Sequence, residues 1–160
     1  MEESKLNDTE LSKKEILLKE IDLIEDCIKR MSNNSFLLKG WAVTILSVLI
    51  GLMANFENWT SGSLLAIFVC IGFWYLDALY LKLERLYTRK YNWVIQNRLD
   101  TTEYKFNLNP FEKNMWLETE NKEIITLKVM FSRTLLPLYL TMLIVSSCGL
   151  WLSYIRKIIE

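Results

Sequence analysis

Histidine is absent from the 160 residues, and cysteine, glycine and proline are scarce, with three, five and two copies. Without histidine and without a CxxC pair, the chain lacks the usual ligands of a structural zinc site, and no disulfide framework is indicated. The few glycines form no phosphate-cradling loop, and neither GxSxG nor HExxH occurs. These absences leave an enzyme unsupported. We predict no catalytic residue, no metal and no cofactor.

Charged residues are also nearly absent from three long stretches. Residues 36–56 contain only Lys39, residues 61–81 contain only Asp77, and residues 134–155 contain no charged residue. A helix rises about 1.5 Å per residue, so about 20 residues cross a hydrocarbon core of about 30 Å. We therefore predict an all-α membrane protein with three transmembrane helices over these ranges.

The basic residues predict how these spans are oriented. Six precede the first span and Lys39 lies near its start, none lies in the short connection to the second, ten follow the second span and two follow the third. Because cytoplasmic segments retain Lys and Arg, we expect the N-terminus inside and the C-terminus outside. Residues 1–35 then form a cytoplasmic amphipathic helix, residues 82–133 a cytoplasmic helical region, and residues 156–160 an external tail.

Apolar residues repeat at four and three positions in the first of these regions, which is typical of a heptad seam. They are Leu17, Ile21, Ile24, Ile28 and Met31. The seam packs either against the rest of its own chain or against another subunit. The polar run 32–35 predicts a kink or break before the first span, because Ser and Asn favour caps and turns.

Further along, helical spacing continues without interruption from Leu64 to Trp93, which predicts one long helix that leaves the membrane on the cytoplasmic side. We expect this helix to end at a turn over residues 100–102. Alternating apolar residues over 104–108 indicate a short strand, and a further helix is expected to begin between Lys113 and Asn121.

The two charges inside the predicted spans lie at similar depth, about one turn from the cytoplasmic boundary, on neighbouring helices. Burying an ionised carboxylate there is costly unless it is paired or hydrated. We therefore predict an intramembrane pair between Lys39 and Asp77, in one subunit or between two. The alternative is a ring of Asp77 carboxylates at the inner mouth of a cation path.

Small and weakly polar residues share one face of the first span: Thr44, Ser47, Gly51 and Asn55. Such a face either lets helices approach closely in lipid or lines a water-filled pore, so these four are candidate pore-lining residues. The third span carries a similar face: Met142, Ser146, Gly149 and Ser153. Pro137 lies in the first turn of that span, where its missing N–H is tolerated.

Beyond the second span, cations alternate with tyrosines, and they form a candidate cytoplasmic ligand-binding set: Lys82, Arg85, Arg89 and Lys90. Positive-inside topology alone accounts for such residues. Cations interleaved with aromatic rings also suit single-stranded nucleic acid, through phosphate contact and base stacking. The residues themselves leave both explanations open.

Three phrases of the sequence resemble a group of small bacterial membrane proteins from anti-phage defence. They are RMSNNSFLLKGWAVTILSVLIGL, FWYLDALYLKLERLYTRKY and FSRTLLPLYLTMLIV, and the similarity covers about residues 28–152. Among characterised kinds, the chain is most similar to the transmembrane effector of Hailong-type defence. This resemblance implies a multi-subunit ion channel in the bacterial inner membrane. It further implies that a DNA oligomer made by a partner nucleotidyltransferase keeps the channel closed until infection.

Independently, three spans are too few for one chain to enclose a pore, so conduction would need a homo-oligomer, with a tetramer favoured. Our leading hypothesis is an oligomeric membrane effector that contacts lipid, conducts ions and is gated from the cytoplasm. The competing hypothesis is a non-conducting anchor that recruits a soluble partner through residues 1–35 and 100–130. A lytic membrane disruptor is a third possibility.

Overall fold

The computed structural model describes residues 2–53, 59–112 and 124–159. Within these residues the chain forms helices and no strand, in agreement with the all-α prediction. The helices are α1 (Glu2–Met53), α2 (Trp59–Asn97), α3 (Thr126–Met130) and α4 (Leu136–Ile159). By contact density the chain divides into unit 1, residues 1–32 and 82–124, and unit 2, residues 33–81 and 125–160.

Helix α1 continues through the polar run 32–35, so the predicted break is wrong. Ser and Asn each cost up to about 0.7 kcal/mol relative to alanine in a helix interior, roughly 2 kcal/mol for the run. Tertiary contact offsets this cost, because Met31 is buried before the run and Ser35 at its end is only 5% exposed and hydrogen-bonded. Packing, rather than propensity, decides the backbone here.

Helix α2 confirms the prediction of one uninterrupted helix over Leu64–Trp93. It ends where expected, since the amides of Asp100 and Thr101 both bond to the carbonyl of Asn97 at 3.0 Å and close the last turn. The same helix therefore contains an apolar half without basic residues and a second half that carries several.

The predicted strand over 104–108 is wrong, because residues 103–106 form turns. Tyr104 and Phe106 have φ values of 53° and 55°, in the left-handed region that a strand excludes. Alternating apolar residues were therefore not a sign of strand pairing. They mark a tight loop whose shape is set by the buried ion pair described below.

Helix α4 begins at Leu136, so Pro137 lies in its first turn as predicted. The start predicted for an additional helix between Lys113 and Asn121 lies outside the described residues. The described chain resumes before the short α3, whose Val129 and Met130 are buried while Leu127 is exposed.

The core of unit 1 explains the apolar seam of α1. Ile24 is fully buried and Met31 is 9% exposed, while the other three seam residues are partly covered. Leu86 and Val94, on the second half of α2, complete this core. Packing against its own chain therefore covers part of the seam, which is one of the two explanations that the sequence left open.

Small side chains dominate the core of unit 2. Ala42 on α1, Ala66 and Ala78 on α2 are all fully buried, as is the larger Leu135 just before α4. Small residues at helix contacts let backbones approach closely, which is the packing mode favoured in lipid.

In the described part of the chain, two helices are long and apolar enough to cross a membrane, α1 over Leu11–Leu52 and α2 over its whole length. Only 17% and 28% of the residues in their most apolar segments are buried, whereas the core helix of a soluble protein would be mostly covered. Helix α4 contains a shorter apolar stretch, Leu136–Leu152, which covers about 25 Å at the helical rise per residue.

Candidate functional site

Among the described residues of unit 2, Asp77 on α2 has the one fully buried carboxylate. Ser35 and Lys39, one turn apart on α1, and Tyr139 on α4 surround it. All four residues lie within about six positions of the cytoplasmic ends predicted for their spans. Three helices of this unit thus meet at one polar point, which we call the Asp77 cluster.

The Asp77 cluster is fully hydrogen-bonded. The ammonium of Lys39 bridges both carboxylate oxygens, with Nζ 3.0 Å from Oδ1 and 2.9 Å from Oδ2. The Tyr139 hydroxyl donates to Oδ2 at 3.0 Å, and the Ser35 hydroxyl donates to Oδ1. Ser35 Oγ in turn accepts from Lys39 Nζ at 2.6 Å. No oxygen of the carboxylate is left without a donor.

The cluster contains one negative and one positive side chain, and only the positive one is partly exposed. Asp77 has no exposed surface, but the side chain of Lys39 keeps 28% exposure. A buried carboxylate is tolerated only with excellent pairing, and here one ammonium and two hydroxyls supply it. Charge neutrality and complete bonding make the cluster a structural tie between α1, α2 and α4.

A second layer holds Tyr139 in position. Its ring stacks on that of Trp74 with centroids 5.9 Å apart and planes at 9°. The Trp74 indole N–H donates to the Met130 carbonyl at 3.0 Å, and the Phe131 ring meets Trp74 edge-on at 5.5 Å. Trp74 therefore connects the Asp77 cluster to the segment that precedes α4.

The structure brings together Lys39 and Asp77, the two charges predicted to pair, within one chain. It places the Asp77 carboxylate in the interior of unit 2. A ring of acids around a cation path would instead need this carboxylate to face water. Sequence reasoning missed Ser35 and Tyr139 as its partners. Depth was the available signal, because the Tyr139 hydroxyl enters an apolar span at the same level as the two charges.

The candidate pore-lining residues lie on an uncovered face of α1. Thr44 and Ser47 are exposed and bond only to the carbonyls of Gly40 and Val43, one turn earlier. A Cβ added at Gly51 would meet no atom within 4 Å. Asn55 lies outside the described residues. This face makes no close packing within the described part of the chain.

The corresponding face of α4 is a packing face. Ser146 is buried, and a Cβ built on Gly149 would overlap the hydroxyl of Ser63 on α2. Ser63 is itself fully buried. Close helix approach, one of the two explanations offered for such faces, therefore applies to α4 at Gly149.

These two glycines give a matched test. Gly149→Leu should destabilise unit 2 by about 2–3 kcal/mol, because overpacking a tight contact forces neighbours apart. Gly51→Leu should leave the stability of the single chain unchanged, because the new side chain enters open space. Thermal unfolding of each detergent-solubilised variant measures its stability, and the mass of its oligomer shows whether assembly is kept. Loss of the oligomer only in Gly51→Leu would place that face between subunits.

One of the four candidate ligand-binding cations is buried, and the other three are at least partly exposed. Arg85 is exposed, whereas Lys82 and Arg89 are partly covered. Lys90 is fully buried in unit 1, where its Nζ donates to the Asn109 carbonyl at 3.0 Å. Lys90 therefore anchors the loop that follows α2 and does not belong to an exposed basic face.

Burial lowers the pKa of Lys90, although the carboxylates of Glu20 and Glu112 oppose the shift. Below its lowered pKa the buried ammonium carries the full desolvation cost, and this cost disappears as the pH approaches the ordinary value of 10.5. We expect wild-type stability to rise over that alkaline range relative to Lys90→Met. Chemical unfolding of both proteins across the range measures this, with exposed Lys105→Met as the control. Parallel pH profiles of wild type and Lys90→Met would contradict the assignment.

Unit 1 contains a second buried ion pair that sequence reasoning missed. Glu20 and Arg98 are 1% and 5% exposed, with Arg98 Nε 2.5 Å and Nη2 2.7 Å from the two carboxylate oxygens. The Arg98 Nη1 group also donates to the carbonyls of Thr101 and Glu103. Glu20 Oε1 accepts the Phe106 amide at 2.9 Å. This pair, the Glu20–Arg98 clamp, shapes the left-handed loop after α2.

Within the described residues, no three His, Cys, Asp or Glu side chains come together in a way that could hold a metal ion. Comparison of the chain with protein-family models, with curated proteins and with solved structures finds no match.

Proposed function

We propose that this chain is a membrane effector that works as a homo-oligomer and conducts ions under the control of its cytoplasmic unit. The observation that carries the proposal is the continuity of α1 and α2. Each runs without a break from an apolar, largely uncovered stretch into the polar unit 1. In this proposal the two continuous helices are the route by which a change of state in unit 1 reaches the apolar stretches.

The exposed surface of unit 2 supports a membrane location. Large apolar side chains are exposed along all three of its long helical stretches, for example Val48 at 56%, Phe68 at 77% and Ile144 at 58%. Soluble monomers rarely expose contiguous apolar surface on this scale. In this proposal the acyl chains of a bilayer cover this apolar surface, and α1, α2 and α4 are the three spans.

Aromatic residues support the proposed boundaries. Trp151 and Tyr154, near the end of α4, are 67% and 65% exposed, as expected of an outer interfacial belt. Phe36, Trp41 and Tyr75 are 73%, 60% and 48% exposed near the Asp77 cluster, which suits an inner belt. On this basis the N-terminus lies in the cytoplasm of a bacterial cell and the C-terminus outside the inner membrane.

The conducting role draws on the uncovered face of α1 at Ser47 and Gly51, which is free to line a shared axis. A ligand that held the cytoplasmic units together would favour the closed state only if it bound that state more tightly. The resemblance to Hailong-type effectors suggests a DNA oligomer from a partner nucleotidyltransferase as this ligand, and anti-phage defence by depolarisation as the outcome.

The alternative, a non-conducting anchor, shares the membrane location and differs in one measurement. Inducible expression of the chain alone in bacteria carrying a membrane-potential dye should show rapid depolarisation without leakage of large solutes. A polarised membrane together with a co-purifying soluble partner would establish the anchor instead. Leakage of large solutes would establish a lytic disruptor.

A matched pair of variants tests transmission along α2. Thr88→Pro interrupts the helix at an exposed position, whereas Thr88→Ala removes only a side chain whose hydroxyl bonds to the Glu84 carbonyl. In the proposed mechanism, only the proline variant loses the response of depolarisation to events in the cytoplasm.

A further inference from the structure

The segment before α4, residues 125–133, combines exposed apolar side chains with positive charge; we call it the pre-span segment. Three large apolar residues in it are 47%, 63% and 63% exposed: Ile125, Leu127 and Phe131. Both of its cations, Lys128 and Arg133, are exposed, and the segment contains no acidic residue. The surface of this segment is thus amphipathic, and all of its charges are positive.

The exposure of these side chains is built into the fold. Val129 and Met130 point into the core of unit 2 and are 0% and 8% exposed. The Met130 carbonyl accepts the Trp74 indole N–H at 3.0 Å, and the Phe131 ring is held edge-on against Trp74. With its inner side anchored in this way, the segment presents its apolar and cationic side chains outward.

The chemistry of this surface specifies its occupant. The exposed apolar side chains continue into those of α4, such as Leu140 and Ile144, which the proposed function places in acyl chains. A short amphipathic element of this kind lies at the level of lipid headgroups. Lys128 and Arg133 attract anionic headgroups, and a cation contributes about 1 kcal/mol near such a surface.

We infer that the pre-span segment is a binding site for anionic phospholipid of the cytoplasmic leaflet. Lys128 and Arg133 hold the headgroup phosphate, and Leu127 and Phe131 contact the acyl chains. The inference rests on the proposed membrane location. Because Trp74 also stacks on Tyr139, lipid at this site is mechanically linked to the Asp77 cluster.

The test uses the full chain purified in a neutral detergent. Native mass spectrometry during titration with phosphatidylglycerol or phosphatidylcholine should show retention of the anionic lipid. The double variant Lys128→Gln/Arg133→Gln should bind phosphatidylglycerol roughly thirtyfold more weakly, as expected for two lost cations. Lys14→Gln/Lys19→Gln removes the same charge from exposed positions of α1 and should bind like the wild type. An excess of inorganic phosphate should not compete, because the acyl chains contribute to binding.

Flotation with phosphatidylcholine vesicles, followed by carbonate extraction, measures membrane insertion. It thereby tests the proposed membrane location separately from the anionic-lipid site. A chain that inserts stably but binds both lipids equally would overturn the lipid site and leave the proposed function intact. Equal losses in both double variants would likewise overturn the site, because diffuse charge would then explain binding. A chain that fails to insert would overturn both.

Discussion

Asp77→Asn should lower the stability of unit 2 by about 3–5 kcal/mol, the loss that follows when one partner of a buried ion pair is removed. The amide preserves the shape of the carboxylate and can still accept a bond from the Tyr139 or Ser35 hydroxyl. It cannot neutralise the Lys39 ammonium, which bridges both carboxylate oxygens. Unfolding of the purified protein in mixed detergent micelles, followed by tryptophan fluorescence, measures the loss.

Asp100→Asn is the matched control, because Asp100 is exposed at the end of α2 and the same chemical change there should cost little. Lys39→Gln is informative as well, since it leaves a buried carboxylate with only two hydroxyl donors. If Asp77→Asn kept full stability and assembly but altered cation selectivity after reconstitution, the acid-ring alternative would replace the structural pair.

The Asp77 cluster shows what the sequence can and cannot predict. Lys39 and Asp77 are the only charges in their apolar stretches, and charges in lipid must find partners, so their pairing followed from depth alone. Tyr139 carries no charge and suits an apolar span as well as it suits a polar site. Its depth in the third predicted span was the one signal that the sequence offered, and the approach of α4 in three dimensions identifies it as a donor.

The Glu20–Arg98 clamp was beyond sequence reasoning for a different reason. Glu20 lies among many charged residues of α1, where i, i+4 pairs on a solvated face are the ordinary expectation. Its partner is 78 positions away, and no local pattern marks that distance. The prediction of a strand over 104–108 was wrong for the same reason. The clamp imposes left-handed turns on residues whose alternating apolar pattern suggested an extended backbone.

The two buried pairs together specify the register of α1 against α2. In unit 1 α1 supplies the acid, Glu20, and the turn directly after α2 supplies the base, Arg98. In unit 2 the signs are reversed, with Lys39 on α1 and Asp77 on α2. Sliding either helix by one turn would leave buried charges unpaired in each unit. Buried pairs are often poor sources of net stability, and fixing register is their best-supported use.

Glu20→Gln is the corresponding prediction for unit 1, with an expected loss of about 3–5 kcal/mol by the same buried-pair argument. The Arg98 guanidinium would lose its counter-charge while remaining 5% exposed. Glu20 Oε1 also accepts the Phe106 amide, so the loop after α2 should loosen. Hydrogen exchange of the amides over 98–112 should accelerate first, before any change in α1 or α4.

Glu25→Gln supplies the control, because Glu25 pairs with Lys29 at 3.5 Å on the surface of the same helix. Exposed pairs of this kind contribute about 0–1 kcal/mol, so exchange over the loop should stay at the wild-type rate. If unit 1 governs conduction, depolarisation by Glu20→Gln should no longer respond to a co-expressed nucleotidyltransferase, whereas Glu25→Gln should still respond. A Glu20→Gln variant with a loosened loop and unchanged regulation would show that the clamp stabilises unit 1 without taking part in gating.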